Sequence, residues 1–261
     1  MDKTVPSGNQ DDAATAAFGY RAVQAADKQR LVNRVFANVA ERYDQMNDLL
    51  SGGLHRLWKD DLVALLNPPR NARPFRVLDM AGGTGDVAFR ILRAGGPGTS
   101  VIVADISPEM IAEGRKRARR EGLGLRCRFA GANAEALPFP DRCFEAYTVA
   151  FGIRNVTTPE TALREAYRVL KPGGRFACLE FSDVDVPGLD ALYDAYSFAV
   201  MPALGHVVAG DGAAYRYLAE SIRTFPSAVE FAAMIGEAGF ARVTARKLAG
   251  GIVAIHSAWR L

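Results

Sequence analysis

Apolar positions change their period along this chain. Leu31, Val35, Val39, Tyr43, Met46 and Leu50 recur every three or four residues, with Arg34, Glu41 and Arg42 on the other side. That spacing predicts an amphipathic helix ahead of the main domain. From Arg76 onward, short apolar runs at 76–81, 100–106, 125–131, 144–151 and 174–181 read as strands separated by helical stretches. Ser107-Pro108-Glu109 opens one helix, with serine as N-cap and proline at the first position, and Thr158-Pro159-Glu160 opens another. The second of these stops at Lys171-Pro172-Gly173-Gly174. Strand–helix alternation with right-handed crossovers predicts an α/β domain with a mostly parallel sheet and helices on both faces. Residues 185–223 break the alternation as a helical insertion. There Leu189, Leu192, Tyr193, Tyr196 and Val200 are helically spaced, and a short helix is expected at 213–223. Ser227-x-x-Glu230 is a capping box. The chain closes on two strands, at 240–247 and 252–259, the last of them antiparallel.

The chemistry concentrates in one turn. Val77-Leu78-Asp79-Met80-Ala81-Gly82-Gly83-Thr84-Gly85-Asp86 reads as a buried strand that ends on an acid and enters a glycine-rich turn before a helix. Glycine lets backbone approach a nucleotide-like ligand closely and tolerates positive φ. Gly83-x-Gly85-x-x-Ala88 fits the relaxed dinucleotide fingerprint, and Asp105 lies 20 residues beyond Gly85, so a dehydrogenase is one reading. S-adenosylmethionine is the other. Asp79 stands where methyltransferases keep an acid near the methionine ammonium. Asp-x-Ala-x-Gly-x-Gly is close to the methyltransferase glycine pattern, and Asn133-Ala134-Glu135-Ala136-Leu137-Pro138-Phe139 resembles the methyltransferase adenine loop. A dehydrogenase has no need of that loop. Asp79, Asp105 and Asn133 all fall at carboxyl ends of strands, where such sheets bind ligands. The Asp105 carboxylate suits both ribose hydroxyls, the Thr84 and Gly85 backbone the methionine part, with Gly83 a further cofactor-binding residue of that turn, and Asn133 with the Ala134 backbone the adenine.

Composition narrows the classes rather than choosing among them. With 261 residues, 49% hydrophobic and 23% charged, the chain suits one domain with an elaboration. Residues 1–26 are polar and alanine-rich and are expected to be disordered, leaving 27–261 as a single domain. That first segment lacks the apolar core of a secretory signal, and Asp11 and Asp12 argue against a mitochondrial transit peptide. No apolar run reaches the roughly 18 residues of a membrane span. A net charge of +3 does not call for nucleic acid. Cys127, Cys143 and Cys178 read as small buried hydrophobes suited to a reducing cytosol, and no metal cluster or serine–histidine–acid set stands out. The basic run Arg115-Lys116-Arg117-Ala118-Arg119-Arg120 reads as a solvated helix face, with anionic lipid headgroups as its alternative partner.

Longer motifs narrow the choice. The run from Tyr43-Asp44-Gln45-Met46-Asn47 to Leu54-His55-Arg56-Leu57-Trp58 resembles a signature of the ubiquinone/menaquinone biosynthesis C-methyltransferases of the UbiE type. So do Phe151-Gly152-Ile153-Arg154-Asn155-Val156, Arg168-Val169-Leu170-Lys171-Pro172-Gly173-Gly174 and Tyr215-Arg216-Tyr217-Leu218-Ala219-Glu220-Ser221. The resemblance covers about residues 18–261. It implies a Rossmann-like class I methyltransferase fold, S-adenosylmethionine as methyl donor and a polyprenylated quinol methylated on a ring carbon. It also implies a cytoplasmic enzyme peripheral to the inner face of the membrane, as a homodimer or in a quinone-synthesis complex. Thr84, Asp105, Asn133 and Ala134 match the family's cofactor positions. Ala150 departs from the serine often found before Phe-Gly, removing a hydroxyl.

Deprotonation of a quinol makes the ring carbon ortho to oxygen nucleophilic, so the protein need mainly align the reactants and stabilise phenolate charge. Arg154 is the candidate to hold the phenolate or polarise a water, since an arginine stays protonated and is a poor base; Tyr43 is the candidate to orient the ring or relay the proton. The structural alternatives are an ion pair for Arg154 and core packing for Tyr43. Residues 189–204 suit a wall for the prenyl tail, or a core or dimer helix. The remaining functional alternatives are a methyltransferase on another phenolic or lipid acceptor and a cofactor-binding scaffold.

Overall fold

The computed structural model describes residues 15–37, 48, 51–184 and 212–261. In chain order the elements are strands β1 (Thr15–Phe18) and β2 (Arg21–Gln24), helices α1 (Ala25–Ala37) and α2 (Leu54–Leu66), β3 (Phe75–Met80), α3 (Asp86–Ala94), β4 (Thr99–Asp105), α4 (Pro108–Arg120), β5 (Cys127–Gly131) and β6 (Phe144–Ala150). There follow α5 (Pro159–Val169), β7 (Leu170–Phe181), α6 (Gly212–Arg223), α7 (Ala228–Glu237), β8 (Ala241–Leu248) and β9 (Val253–Arg260).

The main sheet has seven strands in the order β5-β4-β3-β6-β7-β9-β8. β3 pairs in parallel with both β4 and β6, so the order reverses there and a crevice opens at their carboxyl ends. β9 runs antiparallel between β7 and β8, as the sequence pattern predicts. Alternate residues of each strand face opposite layers. Val77, Ala146 and Leu179 pack with Leu62, Phe89 and Ile91 on one side. Leu78, Tyr147 and Phe176 pack with Leu163, Phe231 and Ile235 on the other. Each buried Val, Leu, Ile or Phe among them stabilises by roughly 1.5–3 kcal/mol.

Two of the three expected caps are present. The Ser107 Oγ accepts the Met110 N–H with Pro108 in the first turn, and Ser227 and Glu230 form the reciprocal capping box. The Thr158 side chain makes no cap bond, so Pro159 alone marks that start. Arg260 closes the other end of α5, its Nη1 donating to the carbonyls of Arg168 and Leu170, each at 2.8 Å.

Two elements differ from the sequence reading. Residues 15–24, placed in a disordered segment, form a hairpin. Its support is tertiary: Phe18 stacks on Tyr217 of α6 at 4.3 Å, and the Tyr20 N–H donates to Glu220 at 3.2 Å. A Cβ at Gly19, the tight-turn residue at φ 61°, would collide with Glu220. Helix α2 was not anticipated either, although Trp58, Leu62 and Leu66 recur every four residues and are all buried. The predicted helix at 31–50 starts at Ala25 and is described to Ala37; most of its second half, and residues 185–211 of the insertion, lie outside the described residues. The helix expected at 213–223 is present as α6. No helix among the described residues is long and apolar enough to cross a membrane.

Candidate active site

Two strand ends that line the crevice carry a left-handed backbone. Ala81 after β3 has φ 51° and Phe151 after β6 has φ 56°, a conformation that costs a non-glycine residue of order 1–3 kcal/mol. Each turns its chain away from the sheet at the reversal point. A Cβ on Gly152 would sit 2.4 Å from that of Ala81, so glycine is what lets the two turns touch.

Beyond Ala81 the chain folds back. The Gly85 N–H donates to the Gly82 carbonyl at 2.9 Å, and Gly83 and Gly85 have positive φ. Asp105, ending β4, ties this turn down. Its Oδ2 accepts the Gly83 N–H at 2.8 Å, and its Oδ1 accepts the Ser107 N–H at 2.9 Å. Burial pushes the Asp105 pKa up while these amides pull against it. Thr84 and Gly83 line the crevice, whereas Gly85 packs toward Phe89 and starts α3. Asn133 and Ala134 form the next wall. The Asn133 Oδ1 accepts the Glu135 N–H at 3.0 Å, which orders the loop.

Asp79 lies beneath the glycine turn, 1% exposed. Its Oδ1 accepts the Thr148 hydroxyl at 2.7 Å, and its Oδ2 has no hydrogen-bond partner within the protein. Burial lifts its pKa to about 7, against the Thr148 bond and the Lys59 charge.

Arg154 follows β6 in the short helical turn Ile153–Asn155. It lines the crevice and is also a buried ion pair, so both sequence readings of it apply. Nη1 lies 2.8 Å from Glu180 Oε1 and donates to the Phe151 carbonyl at 2.5 Å. The guanidinium sits 5.2 Å from the Phe181 ring centre, and Nε is buried with no partner within the protein.

The wall from α2 was missed in the sequence beyond its place in a family signature. His55, Trp58 and Lys59 line the crevice there. Lys59 Nζ lies 3.0 Å from Asp86. Burial alone would raise the Asp86 pKa, but Lys59, Arg90 and Arg117 outweigh it and hold it at about 2. The spacing of His55 and Lys59, four apart on the face that carries Trp58, was the available signal. Tyr43 lies outside the described residues.

These walls enclose a cavity of about 440 Å³, with Val32 of α1 and Leu218 of α6 closing over it. α1 is held in place by buried Lys28, whose Nζ donates to the Val156 carbonyl at 2.8 Å. Other sequence candidates fall elsewhere. His256 is a core residue bonded to the Ala228 carbonyl at 2.9 Å, and Cys127 and Cys178 are buried with their thiol pKa values raised by burial. Arg115, Lys116, Arg119 and Arg120 are exposed on α4, while Arg117 pairs with Glu121 and Asp86.

Known proteins share both sequence and fold with this chain. The model of the ubiE/COQ5 methyltransferase family matches residues 12–260. The ubiquinone/menaquinone biosynthesis C-methyltransferase UbiE of Nitrobacter hamburgensis is 61% identical over 247 residues, covering 95% of this chain and 98% of that protein. The protein of the same name from Methylobacterium nodulans is 62% identical over 250 residues, covering 96% and 98%. Among solved structures, a SAM dependent methyltransferase from Aquifex aeolicus superposes with a TM-score of 0.53 at 18% identity, covering 73% of this chain and 85% of that one. At that identity the likeness speaks for the fold, the Rossmann-like class I arrangement predicted from the sequence.

Proposed function

We infer the reaction from one premise, that the chain belongs to the ubiE/COQ5 methyltransferase family. It is an S-adenosylmethionine-dependent C-methyltransferase of quinone biosynthesis. Its residues fit that methyl donor. Asp105 presents a carboxylate already fixed by two amides, with lone pairs remaining for the ribose diol. Asn133 and Ala134 offer an amide and a backbone N–H to adenine, and Gly83 and Thr84 line the place of the methionine part. The unpartnered Asp79 Oδ2 suits an ammonium group, which would return that acid to its ionised form. When bound, the donor supplies an electrophilic sulfonium methyl.

The acceptor is a polyprenylated quinol, methylated on the ring carbon ortho to a hydroxyl. The observation that carries this reading is Arg154 itself. Glu180 holds its charge in place inside the cavity, while the Nε–H remains unsatisfied. A fixed cation with a free N–H stabilises developing phenolate without having to reorganise. Because arginine stays protonated, Arg154 holds the oxygen and does not take its proton. Tyr43 is assigned to ring orientation on sequence grounds. A prenylated acceptor partitions into lipid, so the enzyme works at the cytoplasmic face of the membrane through peripheral contact.

The test is to offer the purified protein labelled S-adenosylmethionine with a demethylmenaquinol and a methoxy-polyprenyl-benzoquinol, both reduced. Transfer to either supports the reading, and the ratio of kcat/KM names the preferred acceptor. Transfer to neither, despite tight donor binding, removes the quinol from the proposal.

A further inference from the structure

Among the described residues, three of the six buried side-chain polar atoms without a partner lie on residues of the active-site cavity: Asp79 Oδ2, Arg154 Nε and His55 Nδ1. Buried polar atoms normally find partners, and one left over at a site calls for an explanation. Asp79 packs against the glycine turn, on the donor's side. Arg154 is a permanent donor. His55 is different.

His55 Nε2 lies 2.8 Å from Asp48 Oδ1. Arg56 grips both oxygens of the same carboxylate. The Arg56 bond holds the Asp48 pKa down at about 2, so Asp48 is ionised and only accepts. Its partner Nε2 must therefore carry the hydrogen. In a neutral imidazole the lone pair is then on Nδ1, the buried atom with no partner. An acid fixing one nitrogen so that the other acts as base is the arrangement that orients histidine in general-base catalysis. The charged groups facing the ring are Asp48, Lys59 and Asp86; burial keeps the ring neutral and Lys59 adds to this, while the two acids oppose. Lys59 is paired with Asp86 and is not a competing base.

We propose that His55, oriented by Asp48, takes the proton that the quinol loses during methyl transfer. This rests on the methyltransferase reading above and adds the proton acceptor to it. The quinol O–H gives its proton to Nδ1. The ring carbon forms its bond to the methyl carbon while the carbon–sulfur bond breaks and its electron pair stays on sulfur. The hydrogen displaced from the ring carbon returns to oxygen, so one proton, held on His55 and then lost to water, leaves per methyl transferred. Asp48 is a positioning residue, stabilising the imidazolium through Nε2–H.

Two measurements test this. The first compares wild type with His55→Gln and His55→Ala for kcat across pH and for donor affinity by calorimetry. General-base loss predicts a fall in kcat of about 100-fold or more. The donor dissociation constant stays within about twofold, the wild-type rise of kcat with pH disappears, and added imidazole restores part of the turnover of His55→Ala. A folded His55→Gln with at least a third of wild-type kcat, or one that is slow but keeps the same pH limb, overturns the proposal. Wild-type protein that methylates no quinol overturns the acceptor reading and this proposal together, a result distinct from a turning-over wild type with an active variant. The second measurement needs no variant. Nitrogen-15 NMR of the imidazoles in the wild-type chain should show His55 neutral with its hydrogen on Nε2; a hydrogen on Nδ1 overturns the assignment.

Discussion

Arg154 and Glu180 form an ion pair across the crevice floor, with Nη1 and Oε1 2.8 Å apart and side-chain exposures of 4% and 0%. Arg154 comes from the turn after β6 and Glu180 from the end of β7. Glu180 Oε2 also accepts the Arg154 backbone N–H at 3.4 Å, so one carboxylate fixes both the turn and its side chain. Burying two charges is costly, and leaving one of them alone costs more. Glu180→Gln should therefore lower stability by about 3–5 kcal/mol, read from denaturant unfolding, and lower turnover as Arg154 loses its anchor. A variant within about 1 kcal/mol of wild type would contradict the structural role.

Asp105 and Arg154 should separate binding from chemistry. Charge-assisted hydrogen bonds contribute about 1.5–3 kcal/mol each. Asp105→Ala should thus weaken donor binding by roughly 100-fold or more by calorimetry, through lost ribose contacts and a loosened glycine turn. Arg154→Ala should reduce turnover and leave donor affinity nearly unchanged. Full turnover in Arg154→Ala would remove it from the catalytic assignment.

Asp79 sets a pH dependence whose sign is fixed by burial. Its pKa rises from 3.8 to about 7 in the folded chain, so the folded state keeps this proton over a range where the unfolded state has lost it. The stabilising contribution is full below pH 4, declines as pH rises toward 7, and is gone above it. At roughly 1.4 kcal/mol per unit, the difference is on the order of 4 kcal/mol. Unfolding measured between pH 4 and 8 should show this decline in wild type but not in Asp79→Asn. Parallel curves for the two proteins would contradict the buried-acid assignment.

The strands and most helices were legible because each carries its own signal: apolar runs for β3 to β7, and caps at Ser107 and Ser227. The gathering of Gly83, Asp105 and Asn133 along one crevice was legible for the same reason, since they follow or end strands whose apolar runs are plain in the sequence. What the sequence reading missed depends on distant partners. The hairpin at 15–24 has little apolar surface of its own and rests on Tyr217 and Glu220 about 200 residues away. Helix α2 has a regular spacing, but its part in the site arises only when His55 meets Asp48 and Lys59 meets Asp86. The buried partner of Arg154 is equally invisible in one dimension, because Glu180 is one of three charged residues in β7 and nothing local marks it as the one that meets the turn after β6.

Tyr217 links the N-terminal hairpin to the site. Its ring stacks on Phe18 and its hydroxyl donates to Asn155 Oδ1 at 3.0 Å, next to Arg154. Tyr217→Phe keeps the stack and removes the bond. It should cost about 0.5–1.5 kcal/mol in denaturant unfolding, plus a modest loss of turnover. Phe18→Ala removes the stack and should cost about 3–5 kcal/mol. Equal effects of the two changes would contradict the larger share given to the stack.

The most direct test of the function is the position of the transferred methyl group. Purified protein would be incubated with carbon-13 methyl-labelled S-adenosylmethionine and a reduced prenylated quinol, and the product analysed by NMR. Label on a ring carbon ortho to a hydroxyl, with turnover lost in Arg154→Ala, is the expected result. Label on oxygen, or tight donor binding with no labelled product from either a benzoquinol or a naphthoquinol, would contradict a C-methyltransferase acting on quinols.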